Sequence, residues 1–386
     1  MKKIVAILLT AVLMLCILSG CVTEAPTTVG AEGVSAQNIE KTSEASDAAS
    51  TPEDTAAAPT REAADDGVIK VCHSGNFLSH EFQQRMLQGF QYYCQTNGYE
   101  LTVADANGDI AKQISDIESF IASGADVITV KPVDVNGLDD VIAQCNAKGI
   151  PVVTQGEVIE GMTAAGALNH TLDGGAMAQY VYDYFTKSGE KPIILSVNFP
   201  ELPTIVELEN GFLNKLDELG MEYDLYQVNG KGLMETALQQ SQDALTAHPD
   251  INCVFGINDD SALGAYQAFS AAGIDTSKVL FLTHGIEGNA AGKAIMEDGM
   301  NLAGFAMFPE YYAINFVSTA VNAYLGEPYE YFAWYMSFMV DKDNYAEYYH
   351  LDADGNYTAD MDVVTPLLAE ITANAKAEWP DYIPAG

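Results

Sequence analysis

The sequence is poor in basic side chains. Its 386 residues include 17 Lys and Arg against 54 Asp and Glu, which gives a formal net charge of −37 at pH 7. Proteins that bind nucleic acids need basic side chains to neutralise phosphates, so this charge excludes DNA and RNA as partners. It also disfavours attachment to an anionic membrane surface. Contact with a membrane would therefore need a covalently attached lipid.

The signatures of common enzyme sites are also missing. The sequence has no Walker loop, no G-x-G-x-x-G after a strand and no G-x-S-x-G turn. His80 and Glu81 begin the zinc-protease motif H-E-x-x-H, but its second histidine would fall on Gln84. No nucleophile with a base, and no pair of acids, stands at a known catalytic spacing. We therefore expect a protein that is not an enzyme and that holds no cofactor or metal ion.

Cysteine is scarce, and no pair of cysteines has the C-x-x-C spacing of a metal or redox site. Four of the six cysteines lie after residue 66, inside apolar strand or helix patterns: Cys72, Cys94, Cys145 and Cys253. This placement predicts buried free thiols. Pairing stays an alternative, because disulfides form in exported proteins.

The one long apolar run lies at the N-terminus, where two lysines precede residues 4–18. This layout is typical of a secretory signal peptide. The run is shorter than the ~18 to 20 apolar residues of a membrane span, which disfavours an uncleaved anchor helix. It ends in Leu18-Ser19-Gly20-Cys21, the pattern of a bacterial lipoprotein signal. We expect residues 1–20 to be removed and Cys21 to carry lipid, which places the protein outside the cytoplasm, at the cell surface or in the periplasm.

The remaining chain divides into a tether and a folded body. Residues 21–66 are rich in Ala, Thr, Ser, Glu and Pro and have almost no large apolar side chains, so they cannot offset the entropy of folding. We expect them to form a disordered tether. Residues 67–386 carry frequent Val, Ile, Leu, Phe and Tyr and are long enough for two hydrophobic cores.

Short apolar runs alternate with helical patterns through this body. Ile110, Ile114, Ile117 and Ile121, for example, lie on one face of a helix. Alternation of strands and helices predicts doubly wound parallel sheets, and about ten strands are too many for one compact sheet. The predicted strands are residues 68–73, 100–104, 126–130, 151–154, 164–168, 192–197, 223–228, 253–256, 279–283 and 302–306.

Six segments of the body carry a family pattern. They are GYEL with ADAN at 98–107, KPVD at 131–134, AKGIPVV at 147–153, LTAHPD at 245–250, NDDSALGA at 258–265 and VDKDN at 340–344. In this order they resemble the ribose- and galactose-binding branch of the type 1 periplasmic binding proteins. The resemblance covers essentially the whole body.

The resemblance implies two α/β lobes joined by a hinge of three crossovers. We expect the crossovers near Leu168, residues 305–308 and residues 334–339. The N-terminal lobe would comprise residues 67–168 with about 308–334, and the C-terminal lobe residues 169–307 with about 335–386. Ligand would bind in the cleft between the lobes, which close around it.

The resemblance also implies ligand contacts from strand ends in both lobes. The candidates are Asn76, Phe77, His80, Phe82, Glu157, Asn169, His170, Asn258, Asp259, His284, Met307 and Phe308. Aromatic rings would pack on the C–H faces of a sugar, and amides would bond to its hydroxyls. Three of the candidates have simpler readings: Phe82 as a core residue, Glu157 as a solvated loop acid and His284 as a structural histidine.

Arginines that the family uses to hold its ligand are absent. The family's Asp-Arg pair falls on Gly156 and Glu157, and a second arginine falls on Leu208. Arg85 is the only arginine of the body, and we expect it on a solvated helix face. Phosphorylated sugars and sugar acids would lack their usual partner. We therefore expect a neutral or amine-bearing sugar or polyol as the ligand.

The leading hypothesis is a monomeric substrate-binding component of an ABC importer, with the importer's permease as its partner. The alternative is a sensor subunit that presents ligand to a membrane receptor or a histidine kinase. A cytoplasmic repressor of the same fold is excluded, because a signal and a tether stand where its DNA-binding helices would be.

Alternating oxygen-bearing side chains in residues 352–360 resemble the calcium loop of some sugar-binding relatives. The glycine of this segment falls at the fourth place rather than the sixth. A plain Asp-Gly turn is the expected structure.

Overall fold

The computed structural model describes residues 67–79, 81–286 and 288–378. The predicted signal, the tether, Cys21 and His80 lie outside these ranges. The strands are β1 (Lys70–Gly75), β2 (Glu100–Asp105), β3 (Val127–Val130), β4 (Val152–Gln155), β5 (Ala164–Leu168), β6 (Ile193–Asn198), β7 (Asp224–Asn229), β8 (Cys253–Gly256), β9 (Leu280–Gly285), β10 (Leu302–Ala306), β11 (Phe332–Tyr335), β12 (Met339–Asp341), β13 (Tyr349–Leu351) and β14 (Tyr357–Ala359).

Helices connect most of these strands. They are α1 (Glu81–Asn97), α2 (Ile110–Ser123), α3 (Asp139–Ala147), α4 (His170–Ser188), α5 (Pro203–Glu218), α6 (Met234–Ala247), α7 (Asp259–Ala271), α8 (Asn289–Met296), α9 (Pro309–Leu325), α10 (Tyr345–Tyr348) and α11 (Met361–Glu378). Within the described ranges, no helix has the length and apolar composition to cross a bilayer.

Two six-stranded sheets form the framework. The first has the strand order β11-β5-β4-β3-β1-β2, and all its neighbouring strands are parallel. The second has the order β12-β10-β9-β8-β6-β7, and only its edge strand β12 is antiparallel, to β10. We call each sheet with its covering helices the first lobe and the second lobe. The predicted fold class, two doubly wound α/β lobes, is confirmed.

Both faces of the first sheet are buried, as parallel sheets require. Consecutive residues of β1 illustrate this, because Val71 joins the core under α1 and α9 whereas Cys72 joins the core under α2 and α3. Helix α2 begins where the Asp109 side chain accepts the backbone N–H of Ala111, and its isoleucine stripe packs into the second of these cores. The described cysteines are buried and unpaired.

The chain passes between the lobes three times. The connections run from β5 to α4, from β10 to α9 and from β11 to β12. Helix α9 follows a strand of the second sheet but packs on β3, β4, β5 and β11 of the first. These connections coincide with the three crossovers that the family resemblance implies.

The C-terminal helix departs from the expected lobe division. We expected residues 335–386 in the C-terminal lobe, but α11 packs on α9 and β11 of the first lobe. The Thr372 hydroxyl accepts the backbone N–H of Met336 at 3.0 Å, and Lys376 lies 5.3 Å from the ring centre of Trp334. The physical reason is that α11 buries its apolar side chains Val364 and Leu368 in a hydrophobic cluster that also contains side chains of α9.

The expectation that Arg85 lies on a solvated face is wrong. Its side chain is buried, and its guanidinium is 3.2 Å from Oε1 of Glu310. It also donates to the carbonyl oxygen of Tyr357 at 2.5 Å. Helices α1 and α9 approach closely because residue 89 is glycine: a Cβ there would lie 2.0 Å from the Glu310 carbonyl oxygen. This close approach brings the arginine and the glutamate together in the interior.

Candidate functional site

Polar side chains follow the carboxyl ends of strands in both sheets, where ligands bind in open α/β folds. Asn76 follows β1, Asn169 follows β5, Asn258 follows β8, and His284 is the second-to-last residue of β9. The predicted ligand-binding residues thus fall into two groups, one at the strand ends of each lobe.

An aromatic ring stands exposed at the end of β1 in the first lobe. Phe77 is 47% exposed, and its ring covers Gly108, where a Cβ would come within 2.5 Å of the ring. The Asn76 side chain accepts the backbone N–H of Phe77 at 2.8 Å, which fixes the local turn. Phe82 is half-buried and lies edge-on to Tyr312, with ring centres 6.3 Å apart. The exposed ring of Phe77 is therefore available to pack on a ligand. The ring of Phe82, in contrast, packs against Tyr312 in the core.

Glu157 is not a free acid. Its carboxylate lies 2.7 Å from Nζ of Lys131, the residue that directly follows β3. Lys131 also donates to the carbonyl oxygen of Gln155 at 3.3 Å. The lysine stands in the KPVD segment, but no sequence pattern pairs it with an acid 26 residues later. The first lobe therefore presents an internally neutralised ion pair at its strand ends.

Three titratable side chains meet in the second lobe: His170, Asp173 and His284. Nε2 of His284 is 3.1 Å from Oδ2 of Asp173, and the two imidazole rings are 5.6 Å apart. Burial lowers the pKa of each histidine to about 4 and raises the pKa of Asp173 to about 8. Burial therefore disfavours the charged form of each partner in the contact between Asp173 and His284.

Asp173 was missed at the sequence level, although a usable signal exists. His170 and Asp173 are three residues apart in α4, so both project from one face of the helix. The spacing identifies the pair once the helix start is known. It does not identify His284, which comes from β9.

Two of the amide candidates, Asn169 and Asn258, act as helix caps. The Asn258 side chain accepts the backbone N–H of Ser261 at 2.9 Å and donates to the carbonyl of Gly232 at 3.0 Å. Asn169 accepts the backbone N–H of Leu172 at 3.1 Å, and its amide nitrogen has no hydrogen-bond partner among the described residues. Both side chains are held rigidly at strand ends, and of the two amides only the Asn169 nitrogen is left without a partner.

Asp259 supports the loop after β9. Its Oδ1 accepts the Thr283 hydroxyl and the backbone N–H of Ile286, each at 2.8 Å. Burial raises the pKa of this carboxyl above its usual value. Asp259 therefore fixes the strand end that carries His284.

Met307 and Phe308 lie at the second crossover. The backbone N–H of Met307 donates to Gly285 at 2.9 Å, and its carbonyl accepts the Tyr335 hydroxyl. Phe308 is fully buried, with its ring stacked on Tyr349 at 5.4 Å, and its φ is 42°. In this arrangement Phe308 is part of the core and is closed to a ligand.

A further polar group, which no sequence motif predicted, lies at the end of β6. The buried carboxylate of Glu209 accepts from the amides of Asn198 at 2.9 Å and Gln227 at 3.0 Å. Asn198 is the last residue of β6, so this group also lies at a strand end. The signal in the sequence was Asn198 itself, an amide side chain at the end of a buried strand.

A cavity of about 300 Å³ lies between α1 and the β13–β14 hairpin. Its lining includes Glu81, Arg85, Asn289 and Asp352, and none of the ligand candidates within the described ranges is among its lining residues. Asp352 accepts the backbone N–H groups of Asp354 and Asn356 at 2.9 and 2.8 Å, as in a turn.

Known proteins with related sequences have the architecture described above. A family model described as a periplasmic binding protein domain matches residues 71–328. The ribose import binding protein of Bacillus subtilis (strain 168) is 29% identical over 240 residues, which span 60% of this chain and 74% of that protein. The xylitol-binding protein of Mycolicibacterium smegmatis is 29% identical over 219 residues, 55% of this chain and 58% of that protein.

A solved structure agrees with these sequence matches. It is a periplasmic solute binding protein of an ABC transporter from Actinobacillus succinogenes 130z with bound D-allose. It aligns with a TM-score of 0.63 at 20% identity and covers 72% of this chain and 100% of that chain. The family model spans more than half of the sequence, and the sheet order repeats in both lobes. The chain therefore belongs to the periplasmic binding protein family, in the ribose-type branch with the type 1 fold.

Proposed function

We propose that this protein captures a small neutral sugar or polyol between its two lobes and delivers it to an ABC importer. The observation that carries the proposal is the set of polar side chains at strand ends of both sheets, beside the exposed ring of Phe77. Such a surface suits a ligand with hydroxyl groups and apolar C–H faces. The relatives are described as binding proteins, in agreement with the expectation that the chain is not an enzyme.

Charge supports a neutral ligand over an anionic one. Arg85, the only arginine of the folded body, is buried against Glu310 and cannot clamp a carboxylate or a phosphate. Lys131 is already paired with Glu157. An anion would also approach a protein with a net charge of −37.

The same ion pair argues against an amine-bearing ligand, which the sequence left open. A ligand ammonium would have to displace Lys131 from Glu157 or share the carboxylate with it. We therefore narrow the proposed ligand class to neutral sugars and polyols. The named ligands of the relatives, ribose and xylitol, belong to this class.

The role in import has better support than the role in sensing. The Bacillus subtilis relative is named an import binding protein, and the relatives give no support to the sensor alternative. A deletion of the gene should abolish uptake of the radiolabelled ligand. Normal uptake with a lost transcriptional response would instead favour a sensor.

We also propose that the mature protein is a monomer anchored by lipid at Cys21. The support is the signal-like sequence before this cysteine. Mass spectrometry of the mature N-terminus should find a diacylglyceryl group on Cys21, and Cys21→Ala should release the protein from the membrane fraction. A retained residue 1 or an unmodified Cys21 would contradict the proposed lipid anchor.

The proposed monomeric state has its own test. Light scattering on the unlipidated protein should give the mass of one chain, and the mass of two chains would contradict the monomer.

Thermal shifts of the unlipidated protein test the binding surface. A ligand present at a hundred times its dissociation constant should stabilise the protein by about 2.7 kcal/mol. Phe77→Ala should reduce the shift, because it removes the exposed ring. Tyr329→Ala is the matched control, since Tyr329 is also 47% exposed but lies in the connection between α9 and β11. Equal shifts in both variants would show that the ligand does not contact Phe77.

A further inference from the structure

His170, Asp173 and His284, which we call the His170 cluster, bring three potential metal-ligand atoms together in the second lobe. Each residue offers one nitrogen or oxygen, and these three atoms lie within 4.8 Å of one another. Two of the side chains come from consecutive turns of α4 and the third from β9. A metal ion could contact all three after small side-chain movements.

The surrounding structure holds the His170 cluster in place. The Asn169 side chain caps α4 directly before His170. Gly174 allows α4 to pack tightly on α5, because a Cβ there would lie 2.2 Å from the Leu208 carbonyl oxygen. The His284 ring is stacked on Phe305, with ring centres 5.7 Å apart and planes 13° apart. The geometry is therefore set by the backbone and the core rather than by flexible side chains.

A second observation points to a missing partner. Nδ1 of His170 and Oδ1 of Asp173 are sealed from solvent and have no hydrogen-bond partner in the described part of the chain. Buried polar atoms are nearly always paired, since an unpaired one costs stability. Asp173 itself is only 1% exposed. The two unpaired atoms belong to residues that already converge on one point.

We propose that the His170 cluster binds a divalent transition-metal ion of the Zn²⁺ type, through one nitrogen of each imidazole and one oxygen of Asp173. Two imidazoles and one carboxylate are a donor set that suits such ions, whereas Ca²⁺ and Mg²⁺ prefer oxygen alone. Three protein ligands leave one position of a tetrahedral ion for water or for an atom of a bound ligand.

A neighbouring carboxylate strengthens the case. Glu207 accepts the hydroxyl of Thr171 at 2.9 Å, and Thr171 directly follows His170 in α4. It adds negative charge beside a cation site. The metal proposal is independent of the proposed sugar function, because it rests on protein atoms alone.

Titration of the full-length, untagged chain with Zn²⁺ and Co²⁺ tests the proposal. After removal of bound metal with a chelator, and with excess Mg²⁺ to block weak acidic sites, one ion per chain should bind. Co²⁺ should show the visible absorption of a tetrahedral site. Binding that is absent or of indefinite stoichiometry would overturn the proposal.

Variants connect the binding to these residues. His170→Gln and Asp173→Asn should each weaken binding by at least about 100-fold, since each removes a ligand. His170→Gln alters a half-buried position at a helix start, so it should fold even if a change at buried His284 does not. His350→Gln, an exposed histidine on β13, is the matched control and should bind as the unaltered chain does. Unchanged affinity in both cluster variants would place the ion elsewhere and overturn the proposal.

Discussion

Oε1 of Glu81 accepts the backbone N–H of Asn289 at 3.0 Å and so joins the first lobe to the second. The two residues are the first residues of α1 and α8. A hinge opening that separates these helices breaks the bond. The bond therefore favours the arrangement of the lobes seen here.

Glu81→Ala should weaken ligand affinity by about two- to tenfold, which corresponds to the net worth of one hydrogen bond. Fewer molecules would then occupy the binding-competent arrangement. Isothermal titration of wild type and variant measures the difference. Glu81→Gln, which keeps an acceptor oxygen, should behave more like the wild type. A Gln variant as weak as the Ala variant would assign the effect to charge and not to this bond.

The buried pair of Arg85 and Glu310 should be important for stability. Glu310→Ala would leave an uncompensated guanidinium in the interior, and we expect a loss of about 3–5 kcal/mol. Chemical denaturation measures it. Asp224→Ala removes an exposed partner of Lys191 and should change stability by less than about 1 kcal/mol. Similar losses in the two variants would contradict the burial of the Arg85 pair.

The buried imidazole of His73 should make the fold sensitive to acid. Burial lowers its pKa from 6.5 to about 3. Between these values the unfolded chain takes up a proton that the native protein does not, so the free energy of unfolding falls as pH falls. The contribution is at most about 1.4 kcal/mol per pH unit.

His73→Leu should reduce this slope between pH 6 and pH 4 by about one proton per molecule. Thr129→Val is the control, because it removes the hydroxyl 3.0 Å from Nδ1 of His73 but keeps the imidazole. Urea denaturation at several pH values gives both slopes. An unchanged slope in the His73 variant would show that this histidine titrates normally in the native state.

Lys131 should set the preference for neutral ligands. Lys131→Met would leave the Glu157 carboxylate without its partner at the strand ends of the first lobe. The variant should gain affinity for amine-bearing sugars relative to their neutral analogues, as titration with D-glucosamine and D-glucose would show. Lys112→Met, which breaks an exposed pair with Asp116 on α2, should leave the preference unchanged. The same preference in all three proteins would exclude Glu157 from the site.

The regular part of the fold was accessible from the sequence. All ten predicted strands are present with ends within two residues of the prediction, because each is a short apolar run bounded by turns. Strands β11 to β14 were missed, and three of them, β12, β13 and β14, have only three residues each, which is too few to show an alternation of apolar and polar side chains. The docking of α11 on the first lobe was also missed, because its apolar face matches either lobe in composition.

The chemistry of the site was less accessible, because it depends on distant partners. Arg85 and Glu310 are 225 residues apart, and nothing local indicates that the arginine is buried. The partner of Glu157 comes from another strand end, and Asp173 meets His284 across 111 residues. Sequence patterns located the strand ends, whereas the pairing of side chains there follows only from the packed lobes.

Isothermal titration with D-ribose, D-allose and xylitol, beside D-ribose 5-phosphate and D-glucuronate, tests the central claim most directly. The account predicts that at least one neutral compound binds with a stoichiometry of one per chain and that both anionic compounds bind far more weakly or not at all. Binding of an anionic compound in preference to every neutral one would contradict the claim that the paired Lys131 and the buried Arg85 leave the cleft without a site for anions.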